Sequence, residues 1–130
     1  MSTHSLKINQ SVRPSIMDTL EKVMVQVEYQ AFASLKWKWI DPLYYEMCLI
    51  ISEVLVIDPE STFKLNGETI NAHLVQEVFT HLRHDHLRLV FENLNNGSYQ
   101  VYNKKAYLRT ALYNAFFEIE SHYGNLGHFS

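Results

Sequence analysis

His73, Glu77 and His81 stand four residues apart, so a helix through them carries two imidazoles and a carboxylate on one face. His84, Asp85 and His86 follow at once, and nitrogen and oxygen donors of these types are what zinc takes. The spacing nevertheless differs from the His-Glu-gap-gap-His pattern of helical zinc hydrolases, so an ordinary polar helix face is the first reading of the trio. A metal-dependent enzyme using His73, Glu77 and His81 stands as a second alternative. Cys48 lies inside the apolar run from Tyr44 to Val56, where a buried thiol stays protonated and is a poor nucleophile. Gly67, Gly97, Gly124 and Gly127 each stand alone, and none precedes the lysine and hydroxyl pair of a phosphate-cradling loop. The carboxylates are scattered, with no pair placed to hold opposed pKa values. No catalytic residue, cofactor site or metal site is assigned, and the chain reads as a non-enzyme.

Binding chemistry is better represented. Lys104, Lys105 and Arg109 cluster where a helix begins, with Lys105 and Arg109 four apart. Positive charge there opposes the helix dipole, so these residues do not serve the helix itself. They fit contact with an acidic protein surface or a phosphate backbone, the alternative being a solvated helix end. Trp37 and Trp39, with Tyr44 and Tyr45 close behind, are residue types that anchor interfaces, although core packing uses the same types. Lys104, Lys105, Arg109, Trp37 and Trp39 are therefore the partner-binding candidates. A formal charge of −3 argues against wholesale phosphate binding and leaves nucleic acid a weak second choice. Asp18, Glu21, Glu28, Asp41, Glu46, Glu53, Asp58 and Glu60 bias the acids to the first half.

These side chains need a scaffold, and hydrophobic spacing predicts a helical one. Residues 1–13 read as a flexible N-terminal segment, and 14–128 as a single helical domain. A first helix begins near Pro14, with Ile16, Leu20, Val23, Met24 and Val27 as its buried stripe. Residues 29–40 read as a short helix plus loop. Asp41 and Pro42 start a central core helix that Asp58 and Pro59 end. Asn66-Gly67 inside an alternating segment predicts a β-hairpin at about 62–70. Asn71 caps a helix running to Leu82, Asp85 caps another ending near Asn96, and Asn103 caps a last one ending around His122 to Gly124. The expected fold is mainly α, a single-domain bundle of about five helices with one small hairpin.

At 130 residues and 47% hydrophobic content, the chain can bury one sizeable core. The lone cysteine forbids an intrachain disulfide, residues 1–10 lack an apolar export signal, and the run Met47 to Ile57 is too short to span a bilayer. A cytoplasmic protein is expected, its oligomeric state open, with a homodimer allowed.

Val78 to Leu82, His86 to Leu94, the run Lys105-Ala106-Tyr107-Leu108-Arg109-Thr110-Ala111-Leu112-Tyr113-Asn114-Ala115, and the ending His122-Tyr123-Gly124-Asn125-Leu126 form a recognisable set. Together with the hairpin before them, they resemble the C-terminal domain of RepA-type plasmid replication initiators of Gram-positive bacteria. The resemblance covers about residues 40–128. It implies a DnaD-like helical domain that contacts the host primase, here as a stand-alone chain lacking the family's winged-helix DNA-binding domain. Phe116 and Phe117 stand where that family has a proline-containing break, so the last helix is expected to run on. The leading expectation is a replication-associated protein-contact module of a mobile genetic element. The alternative is a small inhibitor of a host defence nuclease, of the anti-CRISPR type.

Overall fold

The extended backbone of Ser15 turns its hydroxyl onto the Asp18 N–H at 3.1 Å, and helix α1 (Ile16–Gln26) starts from that cap. The start expected near Pro14 therefore moves to Ile16, with serine as the cap. In the computed structural model of the protein, residues 15–33, 40–96 and 103–128 are described. Among them are six helices and one antiparallel hairpin, forming a mainly α single domain.

Leu20, Val23 and Val27 bury one face of α1. The chain then reverses at Glu28, whose φ of 56° lies in the left-handed region that follows many helices and favours glycine. A glutamate there costs about 1–2 kcal/mol of backbone strain, partly offset by its exposed 2.9 Å contact with His84. Glu28→Gly is accordingly expected to leave stability unchanged or raise it by up to about 1 kcal/mol, as urea unfolding would measure.

Helix α2 (Tyr29–Ala33) is one short turn, and α3 (Ile40–Val56) is the core element, touching every other helix. It begins two residues earlier than expected. Pro42 sits in its first turn, where a missing N–H has no helical partner to lose. Tyr44, Met47, Cys48, Ile50, Ile51 and Val54 are all buried, so α3 is apolar around most of its circumference. Ser52 tolerates this setting by donating its hydroxyl to the Cys48 carbonyl at 2.8 Å. The Tyr44 hydroxyl donates to the Val27 carbonyl at 2.9 Å and so closes the end of α1. Burial holds that phenol far above its ordinary pKa and pushes the Cys48 thiol up to about 12.

Strands β1 (Thr62–Leu65) and β2 (Glu68–Asn71) pair with Phe63 opposite Ile70 and Leu65 opposite Glu68. Asn66 and Gly67 join them with φ of 56° and 78°, the positive pair that a two-residue turn needs. Alternation buries Phe63 and Leu65 and leaves Thr62 and Lys64 outside. Asn71 caps α4 (Ala72–Phe79) through a 2.8 Å bond from the His73 N–H, as expected.

Helix α4 stops at Phe79, short of the expected Leu82, and side chains satisfy carbonyls left at and beyond its end. The Thr80 hydroxyl donates to Glu77 at 2.7 Å, and the Gln26 amide donates to Phe79 and Leu82 at 3.1 and 2.8 Å. Gln76 does the same for α3, donating to Val54 and Ile57 at 3.0 and 2.8 Å.

Helix α5 (His84–Asn96) starts one residue before the expected Asp85 cap. Its closing acceptor is His86, whose Nδ1 takes the Arg83 N–H at 2.8 Å, the part glutamate plays in a capping box. Asn103 caps α6 (Lys104–His128) by accepting the Ala106 N–H at 3.1 Å. With no proline to stop it, α6 passes through Phe116 and Phe117 and ends beyond the His122 to Gly124 stop expected. Leu108, Leu112 and Ala115 are its buried stripe. Among the described residues no helix is long and apolar enough to cross a membrane.

Candidate functional site

The basic cluster at the start of α6 meets the acids of α3. Lys104 Nζ lies 3.0 Å from Glu46 Oε2, and Lys105 Nζ lies 2.5 Å from Glu53 Oε2. Glu46 and Glu53 are seven apart, two turns along one face of α3. Arg109 lays its guanidinium 4.8 Å above the Phe63 ring, where a cation gains from the ring quadrupole. Its Nε is buried with no hydrogen-bond partner. The three cations thus clasp α6 to α3 and to the hairpin, which explains their place at a helix end that disfavours them. Both lysine pairs are about half exposed and contribute little individually. Lys104→Met and Lys105→Met are each expected to cost less than about 1 kcal/mol in urea unfolding, with the loss shrinking in high salt.

Trp37 and Trp39 lie outside the described residues. Of their aromatic neighbours, Tyr44 is core, and Tyr45 is 37% exposed with its ring edge-on to Tyr29 at 6.2 Å.

The histidines separate rather than converge. His73, Glu77 and His81 are exposed, and His81 turns Nδ1–H back onto the Glu77 carbonyl at 2.8 Å. Among the described residues no three His, Cys, Asp or Glu side chains are placed to hold one metal ion. His86 is 2% exposed and tilted against Phe116, with ring centroids 5.7 Å apart. Because Nδ1 accepts the Arg83 N–H, the neutral ring carries its proton on Nε2, which is buried without a partner and 3.9 Å from Glu120 Oε1. Burial lowers its pKa, against the pull of the Asp85 and Glu120 carboxylates.

Among the described residues, the two most exposed large apolar side chains lie on α1. Val25 is 80% exposed and Met17 63%, although both belong to a helix with an ample buried face. Glu21, Met24, Val25, Glu28, Gln30 and Ala31 line a concavity of about 490 Å³. A smaller one, about 310 Å³ between α5 and α6, has Glu118 as its sole charged lining residue and brings no reactive groups together.

A family model matches residues 11–129, which takes in every described element. The chain belongs to the DUF6017 family, a family of unknown function. No curated protein and no solved structure matches it.

In this DUF6017 chain, sequence reasoning missed the α1–α2 concavity because it followed the stripe Ile16, Leu20, Val23, Met24 and Val27 as a core face, whereas only Leu20, Val23 and Val27 are buried, Ile16 is 41% exposed and Met24 lines the concavity. The available signal was a second set, Met17, Glu21, Met24 and Glu28 at spacings of 4, 3 and 4, mixing apolar and acidic side chains. Val25 adjoins that set.

Proposed function

We propose that this DUF6017 chain is a non-enzymatic, cytoplasmic protein-contact module of a mobile genetic element, acting in replication and engaging a host replication protein such as primase. The observation that carries the reading is the apolar surface of α1 beside Glu21 and Glu28, where Val25 and Met17 are the most exposed large apolar side chains among the described residues. The resemblance of residues 105–115 to the replication-initiator domain supplies the replication context. The pairing of Lys104 with Glu46 and of Lys105 with Glu53 supports a protein partner over a phosphate backbone, since those charges are already balanced. Accumulated acids on and just after α1, Asp18, Glu21 and Glu28, favour the inhibitor of a defence nuclease as the second reading.

The test is direct capture with purified components. Immobilised chain is challenged with primase from a Gram-positive host and, separately, with a defence nuclease complex. Saturable binding of primase, competed by free chain, is expected. Binding of the nuclease with loss of its cleavage activity would replace this reading with the inhibitor, and retention of neither would overturn both.

A further inference from the structure

We infer that the α1–α2 concavity is a docking groove for a basic amphipathic helix of a partner protein, one that inserts an apolar side chain between Met24 and Val25 and sets lysines or arginines against Glu21 and Glu28. The inference rests on the reading of this chain as a protein-contact module.

Three observations on this surface agree. Its apolar part is open at Val25, 80% exposed, beside the half-buried Met24, and Met17 next to the concavity is 63% exposed, while α1 turns Leu20 and Val23 into the core. Its rim is acidic. Glu21 and Glu28 line the concavity, Asp18 stands three residues before Glu21 on the same helix, and Lys22 is the one base of α1. Finally, Glu28 holds the left-handed turn at φ 56° that glycine would take without strain, and its carboxylate remains 61% exposed beside His84.

Charge selects the occupant. A second copy would bring two sets of Asp18, Glu21 and Glu28 together with a single lysine on each side, and a nucleic acid or an anionic membrane would meet the same repulsion. A cationic helix with apolar residues at spacings of 3 and 4 satisfies both the rim and the apolar floor.

Two fluorescent 18-residue helical peptides test this, sharing one leucine stripe at i, i+3, i+4 and i+7, with lysine at the remaining positions in one and glutamate in the other. Anisotropy titration of the full chain at low salt is expected to show the lysine peptide binding at least tenfold more tightly, with the preference shrinking as salt rises. Val25→Ser and Glu21→Lys should each weaken it at least fivefold. Glu28→Gly should weaken it too while leaving the thermal midpoint unchanged or higher, a combination that a merely structural glutamate would not give. Equal affinity for the two peptides, no binding, or binding indifferent to Val25→Ser overturns the groove. Concentration-dependent sedimentation abolished by Val25→Ser would identify a second copy as the occupant and overturn it as well. Primase capture that survives Val25→Ser leaves the contact-module reading standing and removes this inference alone.

Discussion

Gln76→Glu should remove about 3–5 kcal/mol from the unfolding free energy, although the two side chains are nearly the same size. In the wild type the Gln76 amide donates to the Val54 and Ile57 carbonyls at the end of α3. A carboxylate has no proton to give, so both carbonyls lose their donor, and a negative charge then faces the negative end of the helix dipole. Each half-buried acceptor left unpaired costs about 1–3 kcal/mol. Gln76→Ala keeps the first loss without the second and should cost about 2 kcal/mol. Since domains of this size hold about 5–15 kcal/mol in all, the glutamate variant should melt far earlier in a calorimetric scan. Equal stability of the glutamate and alanine variants would show that the charge term is absent.

Acid should weaken the protein through His86. Its pKa in the fold lies below the ordinary 6.5, which the unfolded chain restores. Between those two values the unfolded state binds more protons, so stability is complete above about pH 6.5 and falls as pH drops through that value toward the folded one. The structural cause is visible. Nδ1 accepts the Arg83 N–H at 2.8 Å only while it is unprotonated. Protonation removes that bond and leaves the new N–H to seek Asp85 Oδ1, 3.4 Å away. The other charges around the ring are Arg83 at the α5 start and Glu120 on α6, with His81 sharing the Phe116 ring. Urea unfolding at intervals from pH 5 to 7.5 should show the decline in the wild type. In His86→Gln, whose amide oxygen can still accept the Arg83 N–H, the slope should be shallower. His86→Ala, which loses both the cap and the packing on Phe116, should cost about 2–3 kcal/mol even at pH 7.5. A wild type with no slope, or a glutamine variant with the same slope, would contradict the assignment.

Much of the fold was legible where its cause is local. Asn66-Gly67 needs only its own φ preferences to make a hairpin, and Asn71 and Asn103 cap helices with bonds two or three residues long. The buried residues of α6, Leu108, Leu112 and Ala115, stand 4 and 3 apart, a spacing the helix alone dictates. The misplaced ends are those set from a distance. No local rule brings Gln26 to the carbonyls at the end of a helix more than fifty residues away, or puts His86 in the role of a capping glutamate. The basic cluster of α6 was found, but its setting was not, because Glu46 and Glu53 reach it only once α3 and α6 pack together. The α1–α2 concavity was missed for the opposite reason, since attention to the buried stripe hides what the other side of the same helix presents.

Helix α4 has eight residues, a length at which an isolated peptide in water has little helix. Its beginning is closed by the residue that ends β2, its end by Gln26 of α1, and in turn its own Gln76 closes α3. Since Tyr44 of α3 in its turn closes the end of α1, the three helices α1, α3 and α4 complete one another's termini, so none can fray without releasing the others. Amide protons of α4 should therefore exchange with solvent only on global opening, at the same slow rate as those buried in the middle of α3, despite the helix's short length and half-exposed surface.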